Sequence, residues 1–198
     1  MIKHKEKVSL VAISILTIGF SGCFSFGSGG TPQTTPTDET SKLYDTSEFQ
    51  IVVPKDWDTI NQNEFTAEVP DETQVVFRNN VKNETWTANV TVVKKNLQQP
   101  MESLEFAKMV INRQSSGLTD YSETRKDESK IKVGEDEDAT LFTAFTARKS
   151  AEDKVVRYMQ TYGVRGDKGY IILGSFSPQE SEATVQQVEK IVKSFVLK

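Results

Sequence analysis

The one thiol in this chain, Cys23, follows the small pair Ser21-Gly22 at the end of an apolar run, where it reads as an acylation site. The single histidine, His4, lies upstream of it, so a chain processed at Cys23 keeps neither an imidazole nor a free thiolate. That removes the commonest general base and the commonest transition-metal ligand. Zinc, copper, haem and iron–sulfur centres lose their usual donors with them, and no metal or other cofactor is expected. The chemistry left to the chain is that of carboxylates, hydroxyls and amides.

Carboxylates are densest at Glu135, Asp136, Glu137 and Asp138, just after Gly134. Calcium binds oxygen ligands alone, but the D-x-D-x-D-G loop with a distal Glu is absent, and the group reads as a solvated turn. Two suitably spaced acids would suffice for glycoside hydrolysis, so a carboxylate-based hydrolase stays open as the enzymatic alternative, recognisable by a pair of acids in a cleft with one pKa strongly raised. Ser129-Lys130-Ile131-Lys132 satisfies S-x-x-K without the companion S-D-N and K-T-G elements, and Gly174-Ser175-Phe176-Ser177 lacks the nucleophile-elbow spacing. Gly163 to Gly169 is glycine-bearing but has no phosphate-loop spacing and reads as a hairpin turn. No catalytic residue is assigned. Asn83-Glu84-Thr85 and Asn89-Val90-Thr91 are glycosylation sequons, relevant only in a host that modifies secreted proteins in that way. Tyr158, Tyr162, Tyr170 and Trp86 would make a sugar- or peptide-binding face if they projected from one side of a sheet; they are read here as core residues.

The segments around Cys23 say where it would act. Lys3, Lys5 and Lys7 precede a largely apolar stretch from Val8 to Phe20, the n-region and h-region of a secretory signal. A bilayer span takes roughly 20 apolar residues, more than this stretch supplies. Phe20-Ser21-Gly22-Cys23 resembles the bacterial lipobox, with Phe20 where that pattern prefers Leu. The resemblance implies that residues 1–22 are a lipoprotein signal peptide, that Cys23 is diacylated, and that the mature chain is held at the extracytoplasmic face of the cell membrane. Two acyl chains give the stable anchoring that one does not.

Loss of Lys3, Lys5, Lys7 and Glu6 takes the formal charge from −4 to −6. An acidic chain lacks the clustered basic face that nucleic acid requires, and its hold on a membrane must come from lipid. Residues 23–42 are rich in Gly, Ser, Thr and Pro and read as a flexible tether, holding a domain about 25 Å from the bilayer on average.

The folded domain is expected over residues 43–198. Phe49 to Val53, closed by Pro54, predicts the first strand, with Trp57 and Ile60 as a core plug. Gln74 to Arg78 and Trp86 to Val93 follow, the latter with Trp86, Ala88, Val90 and Val92 on one face. Pro100 opens a helix marked by Met101, Leu104, Ala107 or Lys108, Val110 and Ile111 and ending near Ser116-Gly117. Asp120 to Asp127 and Ser129 to Val133 form a strand pair or edge, the first polar enough to be loop. Three antiparallel strands, Thr140 to Arg148, Val155 to Val164 and Gly169 to Phe176, lead to a helix capped by Ser177, with Pro178 in its first turn and Glu180 completing a capping box. That helix presents Thr184, Val188, Ile191, Val192 and Phe195 to the sheet.

These elements predict an α+β fold, a mostly antiparallel sheet flanked by helices. FQIVVPKDW at 49–57, ATLFTAFTARKSAEDKVVRYMQTYGV at 139–164 and GYIILGSFSPQESEATVQQVEKIVKSF at 169–195 are similar to the PsbP-like family, whose members include the extrinsic lumenal protein of plant photosystem II and many bacterial lipoproteins. The resemblance covers most of residues 43–198 and implies an α/β/α sandwich that serves as a non-enzymatic binding or assembly factor. Nothing matches a photosystem-specific segment. The expected role is contact with another envelope protein, with a hydrolase or a small-ligand-binding lipoprotein as the alternatives.

Overall fold

The computed structural model describes residues 39–65, 69–81 and 86–198; Cys23, the signal segment and most of the tether lie outside them. The chain forms β1 (Ser41–Asp45), β2 (Phe49–Pro54), β3 (Asp58–Asn61), β4 (Thr73–Arg78), β5 (Asn89–Asn96), α1 (Ser103–Gly117), β6 (Thr119–Val133), β7 (Asp136–Arg148), β8 (Val156–Arg165), β9 (Lys168–Phe176), α2 (Glu182–Lys193) and β10 (Val196–Leu197). All ten strands join one sheet in the order β1-β2-β10-β6-β7-β8-β9-β5-β4-β3. Every pairing is antiparallel except the short one between β10 and β6.

The expectation of a sheet sandwiched between helices is overturned. Strands dominate, and two helices of 15 and 12 residues are all that pack on the sheet among the described residues. A 15-residue helix is about 22 Å long, whereas ten strands side by side span roughly 43 Å. Two such helices cannot shield both faces. The sheet curls instead into an open half-barrel and buries much of its apolar surface against itself. Tyr44 on β1 and Phe77 on β4 belong to strands far apart in sheet order, yet their rings meet edge to face at 5.2 Å.

The concave side holds the main core. Phe49, Ile51 and Val53 from β2, Val75 and Phe77 from β4, and Val90 and Val92 from β5 converge there with Val185, Val188, Ile191 and Val192 of α2. Trp57 plugs the crossing from β2 to β3, as its sequence position predicts. The opposite side carries α1, whose Phe106, Ala107, Val110 and Ile111 pack on Leu141, Tyr162, Val164 and Ile171. A third apolar cluster, Phe145, Ala147, Val156 and Tyr158, lies beyond the C-terminus of α1.

Local boundaries differ from the sequence expectations for identifiable reasons. β1 takes Ser41 and Lys42 from the expected tether, because pairing with β2 satisfies their backbone. Residues 119–133 form one continuous strand rather than two short ones or a loop and an edge: β7 supplies a ladder along nearly its whole length, and two bulges absorb the mismatch. α2 starts four residues later than expected. Ser181, not Ser177, is its N-cap and accepts from the Thr184 amide at 3.2 Å, while Ser177 closes the preceding turn onto Gln179. Thr184 accordingly serves the cap rather than the core. Trp86 lies outside β5 and packs with the third cluster, on the other side of the sheet from Ala88, Val90 and Val92.

Candidate functional site

The sequence-derived candidates are scattered by the fold. The carboxylates 135–138 sit at the β6–β7 turn, which Gly134 opens with φ +64°. Glu137 pairs with Lys130 at 2.9 Å, and Asp138 accepts from Ser103 Oγ at 3.0 Å, helping to anchor the start of α1. Ser103 Oγ in turn accepts from the Val164 amide at 2.9 Å, so this acid is a structural link between helix and sheet. No group of three or more His, Cys, Asp or Glu side chains is gathered as a metal cage among the described residues.

Ser129 and Lys132 lie three apart on β6, a spacing that sends side chains to opposite faces of a strand. They cannot act as the nucleophile and base of an S-x-x-K pair. Gly166 and Asp167 form the tight β8–β9 hairpin turn, with Gly166 at φ +60°, as the sequence suggests. Asn89 of the second sequon is half-buried in β5 and accepts from Ser175 Oγ at 3.0 Å; Asn83 of the first falls outside the described residues. A shallow surface depression lined by Gln62, Asn63, Phe65, Val69, Pro70 and Asp71 offers a single acid.

The acids whose protonation is visibly perturbed move in the direction opposite to a general acid. The Lys95 ammonium hydrogen-bonded to Glu72 holds that carboxyl below its usual range. Lys168 does the same to Asp167. Burial alone would raise Glu189, but hydrogen bonds from Lys193 and Arg125 outweigh it and hold the group low.

The aromatic residues are core. Tyr158, Tyr162 and Tyr170 are all buried, and Tyr170 faces the concave side whereas the other two face the α1 side. Burial pushes Tyr158 and Tyr170 up to about 12, with Asp153 and Glu48 respectively adding to the effect. Trp86 donates to Ser175 Oγ at 3.2 Å on the same side as Tyr158.

The feature most open to a partner is β6, where the sequence predicts a strand pair or edge with a polar first half. Its 15 residues pair with β7 on one side, but on the other side β10 reaches only Lys132 and Val133. Among the described residues, nothing pairs with the outer edge of 119–131. Glu123, Arg125, Lys126, Glu128 and Lys130 are exposed along this rim, and Arg125 also reaches Glu189 of α2 at 3.0 Å while its guanidinium lies 4.9 Å over the Phe142 ring. Charged residues of both signs on an exposed strand deter indiscriminate edge-to-edge pairing. They leave room for a partner with matching charges. No helix among the described residues is long and apolar enough to cross a membrane.

Comparison with known proteins gives the fold its relatives. No family model matches the chain, and neither does any curated protein. The solution structure of the cyanobacterial PsbP protein CyanoP from Synechocystis sp. PCC 6803 superposes with a TM-score of 0.54 at 14% identity, over 87% of this chain and 98% of that one. The crystal structure of LpqN, involved in cell envelope biogenesis of Mycobacterium tuberculosis, superposes with a TM-score of 0.53 at 10% identity, over 80% of this chain and 90% of that one. The fold is therefore PsbP-like, as the sequence resemblance implies.

Proposed function

We propose that the chain is a lipid-anchored, extracytoplasmic binding or assembly module that works without catalysis and contacts another envelope protein along the rim of its sheet. The observation that carries this reading is the outer edge of β6, a long ribbon of mixed charge whose backbone groups no strand pairs among the described residues. An extended segment of a partner can add to such an edge, main-chain hydrogen bonds supplying affinity and side-chain charges supplying specificity. The signal-like segment and Cys23 support the anchor, and the tether gives the domain reach. LpqN, a protein of cell envelope biogenesis, and CyanoP share the fold, which supports an extracytoplasmic setting.

The test is cross-linking and affinity capture from native envelopes with three proteins: the intact chain, Cys23→Ala, and a β6 variant carrying Lys126→Glu and Lys130→Glu. A discrete partner captured by the intact chain and lost from both variants is the expected result. A partner that ignores the β6 charges moves the interface elsewhere on the domain. No partner in any sample defeats the reading and turns attention to ligand binding or carboxylate chemistry.

A further inference from the structure

The α1 side of the sheet contains two apolar clusters, and three elements place a polar side chain at the boundary between them. On β8, Tyr162 belongs to the cluster under α1 and Tyr158 to the third cluster, with Gln160 between them on the same face. On β7, Thr143 lies between Leu141 and Phe145 in the same way and directly opposes Gln160. On the helix side, Gln114 falls between Ile111 of the first cluster and Leu118 of the other. Gln114, Thr143 and Gln160 are all more than nine-tenths buried.

Their hydrogen bonding is only half complete. Tyr162 Oη donates to Gln160 Oε1 at 2.6 Å and thus receives the Thr143 hydroxyl at 3.0 Å. That chain leaves Gln160 Nε2 a buried donor without an acceptor and Gln114 Oε1 a buried acceptor without a donor, among the described residues. Tyr121 on β6, whose ring lies tilted against Phe145 with centroids 4.9 Å apart, contributes a third buried polar atom, its Oη, that also lacks a partner among the described residues. One donor, one acceptor and one hydroxyl that can play either part is the complement that a buried water satisfies, since such a water makes about three hydrogen bonds to polar groups of this kind.

We propose that Gln114, Gln160 and Tyr121 form an internal hydration site in which one or two long-lived water molecules accept from Gln160 Nε2, donate to Gln114 Oε1 and complete the bonding of Tyr121 Oη. The site is a hydrated seam through an otherwise apolar layer, and it sits under the C-terminal half of α1 rather than under its Phe106 end. Leaving three buried polar groups unpaired is rare in folded proteins, and each is costly. Apolar clusters on both sides exclude bulk solvent and so lengthen the residence of what is bound.

The test is water-selective NOE and ROE spectroscopy on the intact protein, following the side-chain amide protons of Gln160 and Gln114. A long-residence water cross-peak to Gln160 is expected. It is lost in Gln114→Met, the matching cross-peak to the Gln114 amide protons is lost in Gln160→Met, and both persist in the surface control Lys55→Gln; two independent variants guard against failure of either to fold. Through-bond coupling between the Gln160 amide protons and a protein carbonyl, with no water cross-peak, overturns the proposal. So does a Gln160 cross-peak that survives in Gln114→Met together with a Gln114 cross-peak that survives in Gln160→Met.

Discussion

Tyr44 Oη on β1 donates a 3.0 Å hydrogen bond to Asn61 Oδ1 on β3, so the two outermost strands of the sheet meet through side chains where no backbone ladder joins them. Lys42 reinforces the seam by donating to the Trp57 carbonyl at 2.7 Å. This latch holds the curl that replaces the missing helix layers. Tyr44→Phe removes the hydrogen bond but keeps the edge-on contact with Phe77, and is expected to cost about 0.5–1.5 kcal/mol. Tyr44→Ala removes both and is expected to cost roughly 1–2 kcal/mol more, the loss of a half-buried aromatic side chain. Equilibrium urea unfolding of the two variants separates the contributions; no loss in Tyr44→Phe would show that the seam hydrogen bond carries nothing, and equal losses in the two variants would show the same of the ring contact.

The approach of α2 to β9 depends on Gly174. A Cβ built there overlaps Val188 Cγ1 and lies 3.3 Å from Val192 Cγ2. Gly174→Ala is expected to destabilise by about 1–3 kcal/mol through overpacking. Adding Val188→Ala makes room, so the double variant recovers part of the loss in a thermal melt even though Val188→Ala alone is destabilising. Simple additivity of the two losses would contradict this account of the contact.

All five tyrosines have a raised pKa. Burial is the largest cause in each, and Tyr158 and Tyr170 reach about 12. The folded chain then keeps phenolic protons that the unfolded chain releases near 10, so stability falls as pH rises above that value. Ultraviolet titration is expected to show tyrosinate only at strongly alkaline pH, together with loss of the circular-dichroism signal of the sheet. Substantial tyrosinate near pH 10 in a still-folded protein would refute the burial of these rings.

Glu189 links Lys193, on its own helix, to Arg125 of β6 and is held below the ordinary carboxylate range. A depressed folded pKa contributes stability above the unfolded value, near 4.5, that is lost as pH falls through the lower folded value. Glu189→Gln is therefore expected to lower the melting temperature at pH 7 and to have a smaller effect near pH 3. A penalty independent of pH would assign Glu189 a packing role alone.

Much of the fold was legible in local patterns. The alternation and turn residues of 140–176 give three antiparallel strands, and each pairs with its sequence neighbour through a short turn. α1 is largely plain from its apolar spacing, with Ala107, Val110 and Ile111 buried as expected, although it starts at Ser103 rather than Pro100 and buries Phe106, which the predicted stripe omits. β6 was less so. The polarity of Asp120 to Asp127 leaves loop open beside a strand, and the β7 ladder is what makes 119–133 one strand. Trp86 shows the same limit: alternation assigned it to the Val90 face, but it precedes β5, and the chain turns it to the other side to reach Ser175. Gln114 and Gln160 carry no sequence signal, since they become a site only when helix and strand bring the boundaries of two clusters together.

Residue types and short-range spacing set the identities that limit chemistry: one histidine and one cysteine, both by residue 23, an acidic balance, a Gly-, Ser-, Thr- and Pro-rich stretch ahead of the domain and the order of the longer strands and helices, though not β1, β3 or β10. Tertiary structure alone decided that two short helices leave the sheet to curl and latch through Tyr44 and Asn61. It also decided that β10, two residues long, threads between β2 and β6 and stops, leaving the rest of the β6 edge unpaired among the described residues. Both outcomes depend on which distant segments compete to cover the same apolar surface, and no local pattern encodes that competition.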